Sequence, residues 1–204
     1  MNQKILNNAL DQLRKDPKIK KLIEDFDPPD FNQTSDYFNA LSKSIIYQQL
    51  SGKAARTIYN RFLGLFDQNL PKASQVIKIN ISNFHSIGIS KQKSSYIIGL
   101  AQYFYDRGSK IDFENLSDLE VNQELIKIKG IGQWTVDMFL MFTLQRTDIL
   151  PVGDLGIKKA IKIMFNTKDL PSKKFMIQKS KKWQPYRTVA CWYLWRLVDD
   201  EDTW

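Results

Sequence analysis

The stretch IKGIGQWTVDMFLMF, residues 128–142, places two glycines around one isoleucine directly before the most apolar run of the chain. The apolar spacing over residues 125–128 predicts the end of one short helix, and Trp134–Leu144 predicts a second helix that is apolar on almost every side. Because Gly130 and Gly132 can adopt positive φ at little cost, the chain can reverse direction between the two helices. The pattern therefore predicts a tight helix–turn–helix whose second helix lies in the core.

The turn itself has the properties of a phosphate-binding site. It leaves backbone N–H groups without partners at the positive end of the second helix. Without a Cβ on either glycine, a phosphate can approach this backbone closely. A Gly-x-Gly pair alone is more often a steric corner, but here Lys127 and Lys129 flank it. No strand pattern precedes the pair, which excludes a dinucleotide-binding fingerprint.

Helical periodicity also dominates the rest of the chain. The best candidate for a strand, Ile77–Ile81, has only five residues. We find no repeat, low-complexity linker or domain boundary, so we expect one all-α unit. Further helices are predicted over residues 6–13, over 37–45 with Thr34 or Ser35 as the cap, over 52–66, and from a Ser90 cap to about residue 104.

Composition limits the functional classes. With 204 residues, 43% of them hydrophobic, the chain can bury a real core. Its longest apolar run, Met138–Phe142, cannot span a bilayer, and the first twenty residues show no secretory signal. One cysteine and one histidine exclude a Cys-ligated zinc or iron–sulfur site. We expect the protein to be located inside a cell. The net charge of +8 favours an anionic partner, although scattered lysines also suit a solvated surface.

A carboxylate follows the hairpin in LPVGDLGIKKAIKIMF, residues 150–165, where Asp154 stands at the start of a helix. The helix has an apolar stripe on one face and lysines on the other. Aspartate is a favoured N-cap, so capping alone can explain Asp154. A fixed carboxylate could also stabilise a cationic sugar transition state or orient an attacking water, as carboxylates do in glycoside cleavage.

Hairpin, tryptophan, proline, glycine and aspartate in this order resemble the helix-hairpin-helix Gly/Pro-Asp superfamily of base-excision DNA glycosylases. More narrowly, the chain resembles the DNA-3-methyladenine glycosylase II branch. The similarity runs from about Tyr37 to Trp195, through SIIYQQLSGKAA, FHSIGISKQKSSYIIGLA, IKGIGQWTVDMFLMF, LPVGDLGIKKA and WQPYRTVACWYLW.

The resemblance implies an all-α fold, a compact two-lobed helical bundle with the active-site cleft between its lobes. Only about 35 residues precede the match, so we expect the N-terminal β-domain of longer relatives to be missing. We expect one glycosylase domain over residues 1–204. It would comprise an N-terminal helical extension (1–34), the helix-hairpin-helix (125–145), and the catalytic Asp loop with the C-terminal helices (146–204).

The resemblance also implies roles for individual residues. Asp154 matches the catalytic carboxylate, and Trp134 stands where the bifunctional members have a Schiff-base lysine. Because tryptophan cannot form an imine, we expect a monofunctional enzyme without AP lyase activity, in which water is the nucleophile. The residues expected around the base pocket are Trp134, Trp195, Leu155 and Tyr47, and core packing is the alternative role for the tryptophans.

In this family a side chain fills the gap left by the flipped base, and here that wedge is Gln49 or the bulkier Leu50. Ser51 fits equally well as a helix cap, and exposed lysines are often only solvated. The expected DNA contacts are Gln49, Leu50, Ser51, Ser90, Lys93, Lys129, Gly130, Gly132, Gln133 and Thr135.

No cofactor and no iron–sulfur cluster are expected, although family hairpins can hold a structural Na+ or K+ through backbone carbonyls, here those of Ile126, Ile128 and Ile131. The expected partner is double-stranded DNA containing alkylated bases of the 3-methyladenine or 7-methylguanine type. We expect an intracellular monomer that works with DNA and does not bind membranes. The alternatives are a non-catalytic helix-hairpin-helix DNA-binding module, or a glycosylase for another damaged base.

Overall fold

The computed structural model describes residues 1–31, 34–50, 52–67 and 69–198, and these ranges contain twelve α-helices and no strand. The all-α prediction is therefore confirmed. Within the same ranges, no helix combines the length and the apolar character needed to cross a bilayer. The described residues form two compact units, although the sequence shows no linker or domain boundary. The first unit contains the described residues 1–31 and 140–198, and the second contains 34–50, 52–67 and 69–139.

The first unit is organised around its last helix. Its helices are α1 (Gln3–Leu13), α2 (Pro17–Asp25), α10 (Leu155–Phe165), α11 (Lys173–Ser180) and α12 (Arg187–Arg196). Helix α12 packs against α1, α2 and α10. Val189, Ala190 and Leu194 are fully buried there. A helix that is apolar on several sides must lie inside its unit, and α12 does.

The second unit is organised around its longest helix. Its helices are α3 (Tyr37–Tyr47), α4 (Gly52–Gly64), α5 (Ala73–Val76), α6 (Ile81–Ser86), α7 (Lys91–Asp106), α8 (Asp118–Leu125) and α9 (Gln133–Met138). Helix α7 packs against α3, α5 and α6, with Ile97 and Leu100 fully buried. Helix α3 contributes Ile45 and Ile46, which are also fully buried, and it contacts α9 of the hairpin.

Two details of the secondary structure correct the sequence predictions, and a third agrees with the all-α expectation. Helix α3 is capped by Asp36, whose Oδ1 accepts the Asn39 N–H at 3.1 Å, and not by Thr34 or Ser35. The weak strand candidate Ile77–Ile81 runs from the C-cap of α5 to the first residue of α6, and Asn80 caps α6 by accepting the Ser82 N–H. The apolar helix expected over Trp134–Leu144 is α9 followed by a π-helical turn, Phe139–Thr143.

Candidate active site and nucleic-acid interface

Asp154 is the N-cap of α10, as its position in the sequence predicts. Its Oδ1 accepts the Ile157 backbone N–H at 2.8 Å, which satisfies one of the donors at the helix start. Its own N–H donates to the Pro151 carbonyl at 2.9 Å, so the backbone turns tightly just before the helix. The side chain is half-buried. Short local hydrogen bonds thus hold both the backbone and the side chain of Asp154.

A second donor reaches the same carboxylate oxygen from α12. Trp195 Nε1 donates to Asp154 Oδ1 at 3.0 Å across 41 residues of sequence. The indole is only 6% exposed and packs on the Phe142 ring, with centroids 5.8 Å apart. Trp195 therefore combines the core packing that is usual for a tryptophan with a direct contact to the candidate catalytic group. A hydrogen bond to an ionised group is stronger than one between neutral groups, and this bond fixes the orientation of the carboxylate.

Gly156 makes this contact sterically possible, and sequence reasoning missed it. A Cβ at Gly156 would lie 2.9 Å from Trp195 Cδ1, 3.2 Å from its Nε1 and 3.2 Å from Asp154 Oδ1. Only a residue without a side chain allows the indole to come so close to the start of α10. The sequence does contain a signal for this role. A glycine on the first turn of a helix lowers helix stability, and the apolar stripe of α10 gives no reason for a glycine there.

The start of α12 holds the other end of the loop that leads to Asp154. Arg187 binds Asp148 through two nitrogens, with Nε–Oδ1 at 2.6 Å and Nη2–Oδ2 at 2.9 Å. Thr188 accepts the Ile149 N–H at 3.1 Å. Bidentate Arg–carboxylate pairs combine strength with a defined geometry. Helix α12 therefore fixes both ends of the loop before α10, through Trp195 at Asp154 and through Arg187 and Thr188 at Asp148 and Ile149. Sequence reasoning did not identify Asp148, Arg187 or Thr188.

The other three predicted pocket residues are Leu155, Trp134 and Tyr47. Leu155 follows it as the first residue of α10 and is 53% exposed. Trp134 and Tyr47 belong to the second unit, where Trp134 lies half-buried on the first turn of α9. Tyr47 is buried, and this burial raises the pKa of its hydroxyl. The assignment of these three residues to a base pocket stays a prediction.

The hairpin has the predicted reversal, but its two glycines serve different purposes. Gly130 has φ +95°, and a Cβ there would lie 2.3 Å from the ring of Tyr96 on α7. Gly132 has φ −105°, caps α9 without a side-chain bond, and is exposed. A Cβ on Gly132 would meet no atom within 4 Å. Gly130 is thus required by the fold, whereas the bare backbone at Gly132 faces open space where a phosphate can approach.

The other predicted hairpin contacts divide into surface and interior positions. Lys129 is exposed, in agreement with a phosphate contact. Gln133 accepts from Asn122 Nδ2 at 2.8 Å and donates to Asp137 Oδ1 at 2.9 Å, so its amide links α8 and α9. Thr135 is 1% exposed. The side chain of Thr135 thus lies in the interior, and the assignment of Thr135 to a DNA contact stays a prediction.

The wedge candidates lie in a short loop between α3 and α4. Gln49 and Leu50 are both exposed, and Gln49 has φ +59°, a conformation that glycine tolerates far better than glutamine. Ser51 lies outside the described residues. Backbone strain of this kind concentrates at functional sites and persists only when neighbouring contacts impose it.

Ser90 and Lys93 lie beside this loop, at the start of α7. Ser90 is exposed and caps α7 by accepting the Lys93 N–H at 3.3 Å, so the predicted cap is confirmed. The Lys93 ammonium instead points inward. It donates to the carbonyls of Ile46 and Gln48, both at 2.7 Å, and burial lowers its pKa. Lys93 therefore holds the end of α3, a contact that differs from the expected solvent-exposed phosphate contact.

The hairpin carbonyls proposed for Na+ or K+ follow α8. The Ile128 carbonyl already accepts the Ile131 N–H at 3.0 Å, and Ile126 is the C-cap of α8. A carbonyl has a second lone pair, so this bond is compatible with a cation. Among the described residues there is no cluster of three or more His, Cys, Asp or Glu side chains suited to another metal.

Comparison with known proteins identifies the family. The model of the HhH-GPD superfamily of base excision DNA repair proteins matches residues 42–185. The chain therefore belongs to this superfamily.

Individual relatives point to one branch. Over 169 residues the chain is 32% identical to the putative DNA-3-methyladenine glycosylase YfjP of Bacillus subtilis, with 79% of this chain and 59% of that protein covered. It is 30% identical over 182 residues to DNA-3-methyladenine glycosylase 1 of Schizosaccharomyces pombe, with 88% and 80% covered. The solved structure of the S. pombe 3-methyladenine DNA glycosylase Mag1 in complex with abasic DNA matches with a TM-score of 0.87 at 28% identity, covering 97% of this chain and 98% of that one.

Proposed function

We propose that this protein is a monofunctional DNA glycosylase that flips alkylated purines of the 3-methyladenine and 7-methylguanine type out of duplex DNA and hydrolyses their N-glycosidic bonds. The observation that carries the proposal is the Asp154 carboxylate, which two N–H donors fix at the start of α10, in a chain of the base-excision superfamily. The names of its relatives support the alkylated-base substrate.

The reaction needs little acid catalysis. An alkylated purine carries a positive charge, so the electrons of the breaking C1′–N bond neutralise the departing base. A water molecule then adds to C1′ of the sugar cation and releases a proton to solvent, which leaves an abasic site. Asp154 stabilises the cationic sugar and orients the water. Fixed before the reaction begins, the carboxylate costs no reorganisation at that moment.

The absence of lyase activity is part of the proposal and rests on Trp134. This residue replaces the Schiff-base lysine of the bifunctional members, and an indole cannot form an imine. The proposed enzyme works as a monomer inside the cell, on prokaryotic or nuclear DNA. It requires no cofactor and no iron–sulfur cluster, with Na+ or K+ at the hairpin as a structural option.

The test is base release from methylated duplex DNA, measured by mass spectrometry, with Asp154→Asn as the variant. We expect free alkylpurines from the wild-type protein, and a loss of at least about a hundredfold in rate for Asp154→Asn, because a neutral amide stabilises the cation poorly. Asparagine is also a good N-cap, so folding should be preserved. Duplex binding without release would favour the non-catalytic module. Release of only an oxidised or deaminated base from a lesion panel would favour the other substrate class.

Borohydride trapping tests the proposed absence of AP lyase activity separately. Borohydride should trap no covalent complex between the wild-type protein and abasic DNA. A trapped complex would refute the monofunctional assignment without affecting the role of Asp154.

A further inference from the structure

The side chain of Gln48 joins two structures that the proposed function uses separately. Its Nε2 donates to the Gly130 carbonyl at 2.9 Å and to Thr135 Oγ1 at 3.0 Å, across 82 and 87 residues of sequence. Gly130 is the turn of the hairpin, and Thr135 lies on the first turn of α9. Gln48 itself directly precedes Gln49, one of the two wedge candidates. Because an amide nitrogen has two protons, these bonds engage both of them.

The loop that carries the wedge candidates Gln49 and Leu50, here called the wedge loop, is held by polar contacts and not by apolar packing. The side chains of Gln49 and Leu50 are exposed, and the loop borders a cavity of about 200 Å³. Lys93 lines the same cavity, and its ammonium donates to the Gln48 carbonyl at 2.7 Å. Gln48 is therefore tied through its side chain to the hairpin and through its backbone to α7.

The strained conformation of Gln49 needs such ties. A non-glycine residue at φ +59° persists when the surrounding contacts impose it. The residue before it is fixed in its backbone by Lys93 and in its side chain by Gly130 and Thr135. Release of these bonds would allow the loop to relax into the adjacent cavity and change where the wedge points.

We propose that Gln48 is a positioning residue that sets the wedge relative to the hairpin, so that the grip of the hairpin on the DNA backbone places the wedge at the damaged base pair. This inference rests on the proposed function, since it assigns Gln48 to the base-flipping step. Gln48 does not touch the reacting atoms. It acts through Gln49 and Leu50.

The test uses Gln48→Met, which keeps the length of the side chain and removes both donors. Its matched control is Gln102→Met on α7, because Gln102 also donates two bonds, to the Asp106 carboxylate at 2.9 Å, and is exposed. Release of an alkylated base is measured under single-turnover conditions from two substrates. In one the base is paired in a regular duplex, and in the other it lies in a bulge where it is already unstacked.

Gln48→Met should slow release from the paired substrate about tenfold or more, the size of effect expected from two lost hydrogen bonds. Release from the bulge and affinity for undamaged duplex should stay within about twofold of wild type, because neither requires the wedge. Gln102→Met should behave as wild type on both substrates. An equal loss of rate on both substrates, or no loss on the paired one, would overturn the proposal.

A second measurement separates this inference from the glycosylase activity. A duplex with an abasic-site analogue beside 2-aminopurine reports unstacking by the wedge without any base release. At saturating protein, Gln48→Met should give a smaller fluorescence rise than wild type. Thr135→Val should give an intermediate one, since it removes one of the two acceptors and keeps the volume. An unchanged rise would overturn the role of Gln48, whereas a wild-type protein that releases no base would overturn only the proposed function.

Discussion

Replacement of Gly156 by alanine should separate stability from activity. In a helix, alanine is about 1 kcal/mol more favourable than glycine, so the substitution should not unfold α10. The new Cβ would nevertheless lie 2.9 Å from Trp195 Cδ1, and the indole would have to withdraw by about 0.5 Å to reach an ordinary contact distance. That movement would stretch the 3.0 Å bond from Trp195 Nε1 to Asp154 beyond good hydrogen-bond range.

The magnitude follows from the kind of bond that is lost. A hydrogen bond to a charged group contributes about 1.5–3 kcal/mol. If this free energy is expressed in the transition state, the rate of base release should fall roughly 10- to 100-fold. The DNA-binding residues proposed in the second unit are untouched, so affinity for duplex DNA should change little. The loss should therefore appear in the single-turnover rate constant.

The assay is single-turnover release of a methylated purine, with thermal unfolding followed in parallel. Gly99→Ala is the matched control, because Gly99 lies inside α7 and a Cβ there would meet no atom within 4 Å. It should raise the unfolding temperature and leave the rate unchanged. A Gly156→Ala protein that releases base at the wild-type rate would refute the argument that the approach of Trp195 to Asp154 supports catalysis.

Three further predictions concern the hairpin and the N-terminal helices. Gly132→Ala should weaken duplex binding in fluorescence anisotropy about tenfold at unchanged thermal stability, because its methyl group would occupy the space left for a phosphate. Gly130→Ala should instead lower the unfolding temperature, since its Cβ would meet Tyr96 at 2.3 Å; the opposite pattern would contradict the division of roles. Burial raises the pKa of Asp16, but hydrogen bonds from Trp183 and Lys182 outweigh it and hold that pKa below the ordinary 3.8. The unfolded state then takes up the proton first, so the stabilisation present at neutral pH should be lost progressively as the pH falls below about 5. Chemical denaturation across this range should show a smaller loss for Asp16→Asn, and an equal loss would exclude Asp16 as its source.

Local chemistry explains which parts of the fold the sequence predicts well. Asp154 and Ser90 cap their helices as expected, because a side-chain oxygen followed by an apolar helical stripe is a short-range signal. The corrections are also local. Asp36 replaces Thr34 or Ser35 as the cap of α3, and the helix expected over Trp134–Leu144 gives way to a π-helical turn at Phe139. At the start of α3 several polar residues compete for the same donors, and spacing alone does not rank them.

The candidate site is less predictable because its contacts join residues that are far apart in sequence. Asp154 stands out as a carboxylate at a helix start, but nothing near it indicates that Trp195 donates to it from 41 residues away. Only the close approach of that indole explains why a glycine is needed at Gly156. Gln48 likewise resembles any polar loop residue until Gly130 and Thr135 are found opposite its amide.

These contacts share a physical logic. A catalytic carboxylate and a wedge must each face the DNA, so neither can be fixed by burial in a core. Hydrogen-bond donors on buried or half-buried side chains fix their positions. Trp195 does so for Asp154, and Gln48 does so for the wedge loop. Such donors tolerate few replacements, because an indole N–H or an amide must match both distance and direction. Substitutions at these supporting positions should therefore reduce activity while leaving every motif residue in the sequence intact.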